Sequence, residues 1–147
     1  MSEKRIVGYT AGVYDLFHVG HLNLLEKAKE QCDYLIVAVS TDDLVEKYKN
    51  KKPIISYEER KKIIESIKYV DEVVPQVNRN KIAAFNRYGF DVMFVGDDWQ
   101  GTEIFQKVDD EMKAKGKVGV KYIPYTKNVS STLLKKVLQK IYDESEE

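Results

Sequence analysis

His18 and His21 are the only two histidines in a chain of 147 residues, and they flank Gly20 in the run Gly12-Val13-Tyr14-Asp15-Leu16-Phe17-His18-Val19-Gly20-His21. An imidazole can donate a hydrogen bond to a phosphate oxygen as charge builds on it in a transition state. A glycine between the two lets a ligand approach the backbone closely. At the start of a helix, unpaired N–H groups and a partial positive charge would add to the attraction for phosphate. Other chemistries fit less well. His-x-x-His is half of a metal site, but no third histidine, cysteine pair or close carboxylate cluster completes it. The phosphate-loop pattern Gly-x-x-x-x-Gly-Lys-Ser/Thr is absent, as is Gly-x-Gly-x-x-Gly. A lone histidine in this position would more often be a buried core residue or a helix cap.

The elements that must position these residues alternate. Residues 6–12 read as a short strand ending in small residues, and residues 20–31 as a helix with Leu22, Leu24, Leu25 and Ala28 at helical spacing. Residues 34–40 form a nearly unbroken β-rich run, suited to a strand buried on both faces of a parallel sheet. A second helix opens at Ser56 with Glu59 three residues on, the pattern of a capping box, and buries Ile63, Ile64 and Ile67. Strands over 70–75, 91–96 and 120–124 follow, interleaved with helices over 81–88, 103–115 and 131–144. This pattern implies an α/β fold: a doubly wound, Rossmann-like parallel sheet flanked by helices, one domain over residues 1–147. Ligands of such sheets bind outside the carboxyl ends of the strands, where the histidine run lies. Residues 46–53, Glu-Lys-Tyr-Lys-Asn-Lys-Lys-Pro, read as a basic loop, either a solvated turn or a phosphate-reaching segment.

Composition narrows the function classes. Twenty-four basic side chains balance 24 acidic ones, and the pI is near 6.8, which argues against a general nucleic-acid binder but allows a local anion site. The single cysteine, Cys32, cannot form an internal disulfide and is expected at a helix end packed against a strand. No apolar run approaches the ~20 residues that span a bilayer, and the amino terminus lacks a signal-peptide apolar segment. A cytoplasmic protein without nucleic-acid or membrane partners is expected.

Residues 15–21, Asp-Leu-Phe-His-Val-Gly-His, resemble the His-x-Gly-His signature of the cytidylyltransferase-like nucleotidyltransferase superfamily. Further stretches match in order: residues 33–42, 56–60 (Ser-Tyr-Glu-Glu-Arg), 69–73 (Tyr-Val-Asp-Glu-Val) and 96–99 (Gly-Asp-Asp-Trp). Within the superfamily the chain is similar to bacterial glycerol-3-phosphate cytidylyltransferases over nearly its whole length. The resemblance implies transfer of CMP from CTP, accompanied by Mg²⁺ without dedicated protein ligands, to a phosphorylated small alcohol. Products would be a CDP-alcohol, a precursor for a cell-wall, capsule or lipid component, and pyrophosphate. The acceptor phosphate is already anionic, so catalysis would be positioning and charge stabilisation.

The resemblance also implies roles. His18, His21 and Lys51 would act on the transferring phosphate. Thr10, Ala11, Gly12, Val13, Tyr14, Gly20, Lys49, Gly96 and Asp98 would surround the nucleotide, and Asp15 would orient the signature loop. Arg60 would be a phosphate clamp, or else a surface ion pair with Glu58 or Glu59. Trp99 is either core or ligand wall. Residues 125–132, Tyr-Thr-Lys-Asn-Val-Ser-Ser-Thr, match the family's Arg-Thr-x-x-Ile-Ser-Thr-Thr/Ser block, so Thr126, Ser130, Ser131 and Thr132 would meet the outer phosphates. Two departures stand out: Tyr125 and Lys68 occupy positions where the family carries arginine. These two, with Lys127, are expected at the acceptor. A tyrosine carries no charge and a lysine lacks arginine's bidentate fork, so the acceptor pocket is the part in question. Alternatives are another acceptor such as phosphocholine, ATP as donor, or a non-catalytic nucleotide-binding module. A homodimer is expected, with residues 69–74 as its interface.

Overall fold

The structure is a computed structural model and describes residues 5–124 and 131–145, excluding the side chains of Asp98, Ser131 and Ser145. The strands β1 (Val7–Gly12), β2 (Tyr34–Ser40), β3 (Glu72–Gln76), β4 (Val92–Gly96) and β5 (Gly119–Ile123) form one sheet. Every pairing is parallel, in the order β3-β2-β1-β4-β5. The chain winds outward from β1 to β3, then returns to the centre and winds outward again through β4 and β5. The order reverses between β1 and β4, so a crevice opens beyond their carboxyl ends. This is the doubly wound fold that the alternating pattern implies.

The helices are α1 (Val19–Glu30), α2 (Asp42–Lys49), α3 (Tyr57–Glu65), α4 (Lys81–Tyr88), α5 (Glu103–Ala114) and α6 (Ser131–Ser145). Strand β2 shows why both sheet faces need cover. Leu35, Val37 and Val39 point to one face and pack with Leu25 and Ala28 of α1 and Ile64 of α3. Ile36 and Ala38 point to the other, with Phe85 of α4 and Phe105, Val108 and Met112 of α5. Each such side chain contributes roughly 1.5–3 kcal/mol on burial.

Three local expectations change. Residues 42–49 are helical, so the basic loop begins only at Asn50. Thr41 Oγ1 caps this helix by accepting from Leu44 N at 3.2 Å, Asp42 and Asp43 favour its amino end, and Asn50 stops it at φ 62°. The run of charges conceals a helix held by only two buried residues, Leu44 and Val45. Ile63 is 36% exposed, and Arg60 takes its place in the buried stripe with Ile64. Strand β3 begins at Glu72 rather than residue 70. Ser56 does cap α3, accepting from Glu59 N.

Cys32 packs where expected, against β1. A Cβ on Gly8 would lie 2.8 Å from Cys32 Sγ and 2.7 Å from Phe94 Cε2, so only glycine fits between Cys32, in the link after α1, and Phe94 of β4. Gly8→Ala is expected to lower stability in urea melts by about 1–3 kcal/mol. An unchanged midpoint would mean that the two neighbours can move apart without cost.

Candidate active site

A helix amino terminus leaves backbone N–H groups unpaired. At α1 two imidazoles take up this shortage. His18 Nδ1 accepts from Gly20 N at 3.0 Å, and His21 Nδ1 accepts from His18 N at 3.2 Å, a reciprocal cap. An accepting nitrogen needs its lone pair, so each neutral ring carries its proton on Nε2. The rings stack with centroids 3.9 Å apart. Burial, followed by proximity to His18 and partly offset by Asp15, holds His21 down at about 4. Burial also lowers His18. At neutral pH the pair is therefore uncharged, with two Nε2–H donors outside the cap. Phe17 stacks on the His21 ring at 5.3 Å and Tyr14 meets it edge-on at 5.4 Å, fixing its plane.

The loop between β1 and α1 is held under constraint. Tyr14 and Leu16 adopt positive φ, 58° and 51°, a region that costs side-chain-bearing residues of order 1–3 kcal/mol each. Asp15, between them, is 2% exposed and accepts from Ile54 N, Ile55 N and Lys135 Nζ at 2.8, 2.9 and 2.7 Å. Burial alone would raise this carboxyl, but the hydrogen bonds from Lys135 and the two amides outweigh it and hold it below its ordinary value. Asp15 thus ties the signature loop to the carboxyl end of the basic loop and to α6, the orienting role expected of it.

Arg60 does similar work from beneath. Its side chain is fully buried and donates to Ile55 O at 2.9 Å, Val13 O at 2.7 Å, Ser40 O at 2.7 Å and Asp42 Oδ1 at 2.7 Å. Asp42 in turn accepts from Tyr57 N. One guanidinium joins the ends of β1 and β2 to the starts of α2 and α3.

Above this framework lies a cavity of about 380 Å³ at the carboxyl ends of β1 and β4. His21, Lys49, Arg79 and Lys81 line it, and no carboxylate does so among the described residues. Burial, then the charges of Lys135, Lys51 and Arg79, lower the Lys49 ammonium, partly opposed by Asp15. A chain of zero net charge therefore concentrates positive charge in this cavity.

The cytidylyltransferase-like family model matches residues 9–137. The chain belongs to the cytidylyltransferase-like family. A glycerol-3-phosphate cytidylyltransferase of Bacillus subtilis is 43% identical over 133 residues, 90% of this chain and 95% of that protein. An FAD synthase of Thermococcus sibiricus is 34% identical over 144 residues, 97% of this chain and 96% of that protein. A lipopolysaccharide core biosynthesis protein of Thermoplasma volcanium shares the fold at TM-score 0.68 and 24% identity, covering 86% of this chain and all of that one.

Measured against the family signature, the residues separate into groups. Thr10, Ala11, Gly12, Val13, Tyr14, His21, Lys49 and Gly96 line the cavity, and His18 stacks on His21 beside it. Lys51 is exposed beyond α2, near Lys49, and Gly20 supplies an amide to the cap. Trp99 is 43% exposed and lines the cavity, so it is wall rather than core. Two expectations need correction. Arg60 is neither phosphate clamp nor surface ion pair, because its guanidinium is committed to three carbonyls and Asp42 inside the protein. Lys68 does not line the cavity: it lies over the Tyr69 ring on the link into the amino end of β3, and the cavity opens at the carboxyl ends. Thr132 is exposed on α6, outside the cavity lining. Tyr125, Thr126, Lys127 and Ser130, together with the side chains of Asp98 and Ser131, lie outside the described residues.

Sequence reasoning missed Gln76, Arg79 and Lys81. The rule that found the histidine loop applies equally to the carboxyl end of β3, and it would have found all three. Arg60→Lys is expected to lower stability in urea melts by about 2–4 kcal/mol, because a lysine cannot serve four acceptors. A direct clamp would instead weaken nucleotide binding and leave the melt unchanged.

Proposed function

We propose that this protein transfers CMP from CTP to glycerol 3-phosphate, giving CDP-glycerol and pyrophosphate. The observation that carries the reading is the pair of neutral Nε2–H imidazoles at the start of α1, beside a cavity whose charged lining residues are all cationic among those described. Such a site suits chemistry that gathers negative charge and needs no proton removed. An oxygen of the acceptor phosphate forms the new bond to the α-phosphorus as the bond to the departing pyrophosphate breaks. The reacting oxygen is anionic already, so no general base is required. Hydrogen bonds from His18 and His21 would strengthen as charge grows on the α-phosphate oxygens. Lys49 and Lys51 would neutralise the leaving phosphates, and the exposed segment after Asn50 could close over them.

Mg²⁺ belongs to this reading as a companion of the triphosphate, where it offsets the charge of the phosphate oxygens. Among the described residues no group of His, Cys, Asp and Glu is placed to hold a metal ion. An ion carried on the phosphates and on water would need few ligands from the protein. No described helix is long and apolar enough to cross a membrane. We read the protein as a cytoplasmic enzyme, and as a homodimer that pairs through residues 69–74. Its product would supply activated glycerol for a surface polymer or lipid headgroup.

The FAD synthase relative favours one second reading, ATP as the donor. The test is pyrophosphate release with each nucleoside triphosphate in turn, Mg²⁺, and either glycerol 3-phosphate or phosphocholine. Release is expected with CTP and glycerol 3-phosphate only, and His18→Ala and His21→Ala should each lower kcat by about 10²–10³-fold. Release with ATP alone would overturn the donor, and release with phosphocholine alone would overturn the acceptor. No release from folded protein with any pair would overturn the transferase reading.

A further inference from the structure

A helix that flanks a sheet normally hides one stripe of apolar side chains against it. Helix α6 has such a stripe and leaves most of it in water. Leu134, Val137, Leu138 and Ile141 recur at intervals of three and four residues, which places them on one side of the helix. Leu134 is half-buried, but Val137, Leu138 and Ile141 are 47%, 50% and 57% exposed. Every side chain from Lys136 to Glu144 is exposed. The helix is held near its amino end, where Lys135 Nζ reaches Asp15 at 2.7 Å. Residues 136–145 run about 15 Å onward from that contact. Short helices draw most of their stability from packing an apolar face, and a contiguous exposed apolar patch marks an interaction surface. The shared fold does not account for this one: the family match ends at residue 137, and Leu138 and Ile141 lie past it.

The charges on α6 indicate what covers the stripe. Lys135, Lys136 and Lys140 lie toward the amino end, and Asp143 and Glu144 toward the carboxyl end. That order opposes the helix dipole, which favours acids at the start and bases at the end. Lys136 and Lys140, four residues apart, also repel each other along the helix. A second α6 running antiparallel would offset both, with its acidic end beside these lysines and its lysines beside Asp143 and Glu144. A parallel partner would set like charges against like. An anionic lipid surface suits the helix less, because its headgroups would meet Asp143 and Glu144 next to Ile141.

We propose that the apolar face of α6 is the docking surface for α6 of a second copy of this chain, in an antiparallel two-fold pair. The same patch serves both copies, so each contact occurs twice. Val137, Leu138 and Ile141 of each copy form its centre, and lysine–carboxylate contacts flank it at both ends. Three exposed apolar side chains fall short of the roughly 800 Å² per partner of a standard interface, so association through them is reversible and depends on concentration. This pairing is independent of the transferase chemistry and of the pairing through residues 69–74.

The test is sedimentation velocity of the full chain over a wide concentration range. Wild type should gain mass as concentration rises. Leu138→Glu and Ile141→Glu should each raise the dissociation constant by about 10–100-fold, since each places an unpaired carboxylate inside the pair. Two charge-reversed proteins, Lys136→Glu with Lys140→Glu and Asp143→Lys with Glu144→Lys, should each associate more weakly than wild type. Mixed together they should recover, because one helix is then acidic throughout and the other basic. All these positions are exposed, and circular-dichroism melts check that each variant keeps the wild-type fold. Equal mass in wild type and both glutamate variants, or no recovery on mixing, would overturn the proposal. Wild type that keeps one mass at every concentration and floats with phosphatidylglycerol vesicles would overturn it too, by giving the face to lipid.

Discussion

The amino terminus of α1 must satisfy its unpaired amides, and the rest of the site follows from how it does so. Most helices use a serine, threonine or aspartate oxygen for this purpose. Here the acceptors are two imidazole nitrogens, and the choice has consequences that an oxygen cap would lack. Each Nδ1 is occupied by an incoming N–H, so each Nε2 must carry the proton. Protonating either Nδ1 would break the cap, which opposes ionisation in the same direction as burial does. The helix thereby converts two titratable groups into fixed neutral donors at the point where its own dipole already attracts anions.

Such a cap works only if the loop entering it is rigid, and that loop is strained at Tyr14 and Leu16. Two buried charges hold it. Asp15 fastens it to the amides of Ile54 and Ile55 and to Lys135 on α6, and Arg60 fastens its beginning to the ends of β2 and the start of α2. Buried charges with every hydrogen bond in place are tolerated, whereas removing one partner leaves the other stranded. The catalytic geometry thus depends on residues that never reach the cavity. Charge in the cavity itself has the opposite character: Lys49, Arg79 and Lys81 line it with no described carboxylate beside them, which suits them to ligands rather than to holding the fold.

Much of this was legible in the sequence. Alternating periodicity specified the doubly wound sheet, and β2 could be assigned because a nearly unbroken β-rich run of seven residues has few other homes. The histidine loop could be placed because ligands of such sheets lie at the carboxyl ends of strands. Arg60 was misread for a physical reason: an arginine at a helix start looks like a clamp unless the carbonyls it serves are known, and these come from positions 13, 40 and 55. Helix α2 was hidden because its charges outnumber its two buried residues. Lys81 entered the sequence reading only as the start of the helix over 81–88, although the carboxyl end of β3 just before it falls under the same rule.

The most direct test of the account is the protonation of the two imidazoles, and a chain with only two histidines makes it clean. Long-range proton–nitrogen NMR of the ¹⁵N-labelled protein at neutral pH should find both rings protonated at Nε2 and unprotonated at Nδ1. On acidification His21 should stay neutral until the pH falls toward about 4, because burial and His18 hold it there. Either ring protonated at Nδ1, or His21 titrating at an ordinary histidine value, would contradict the reciprocal cap and the neutral donors built on it.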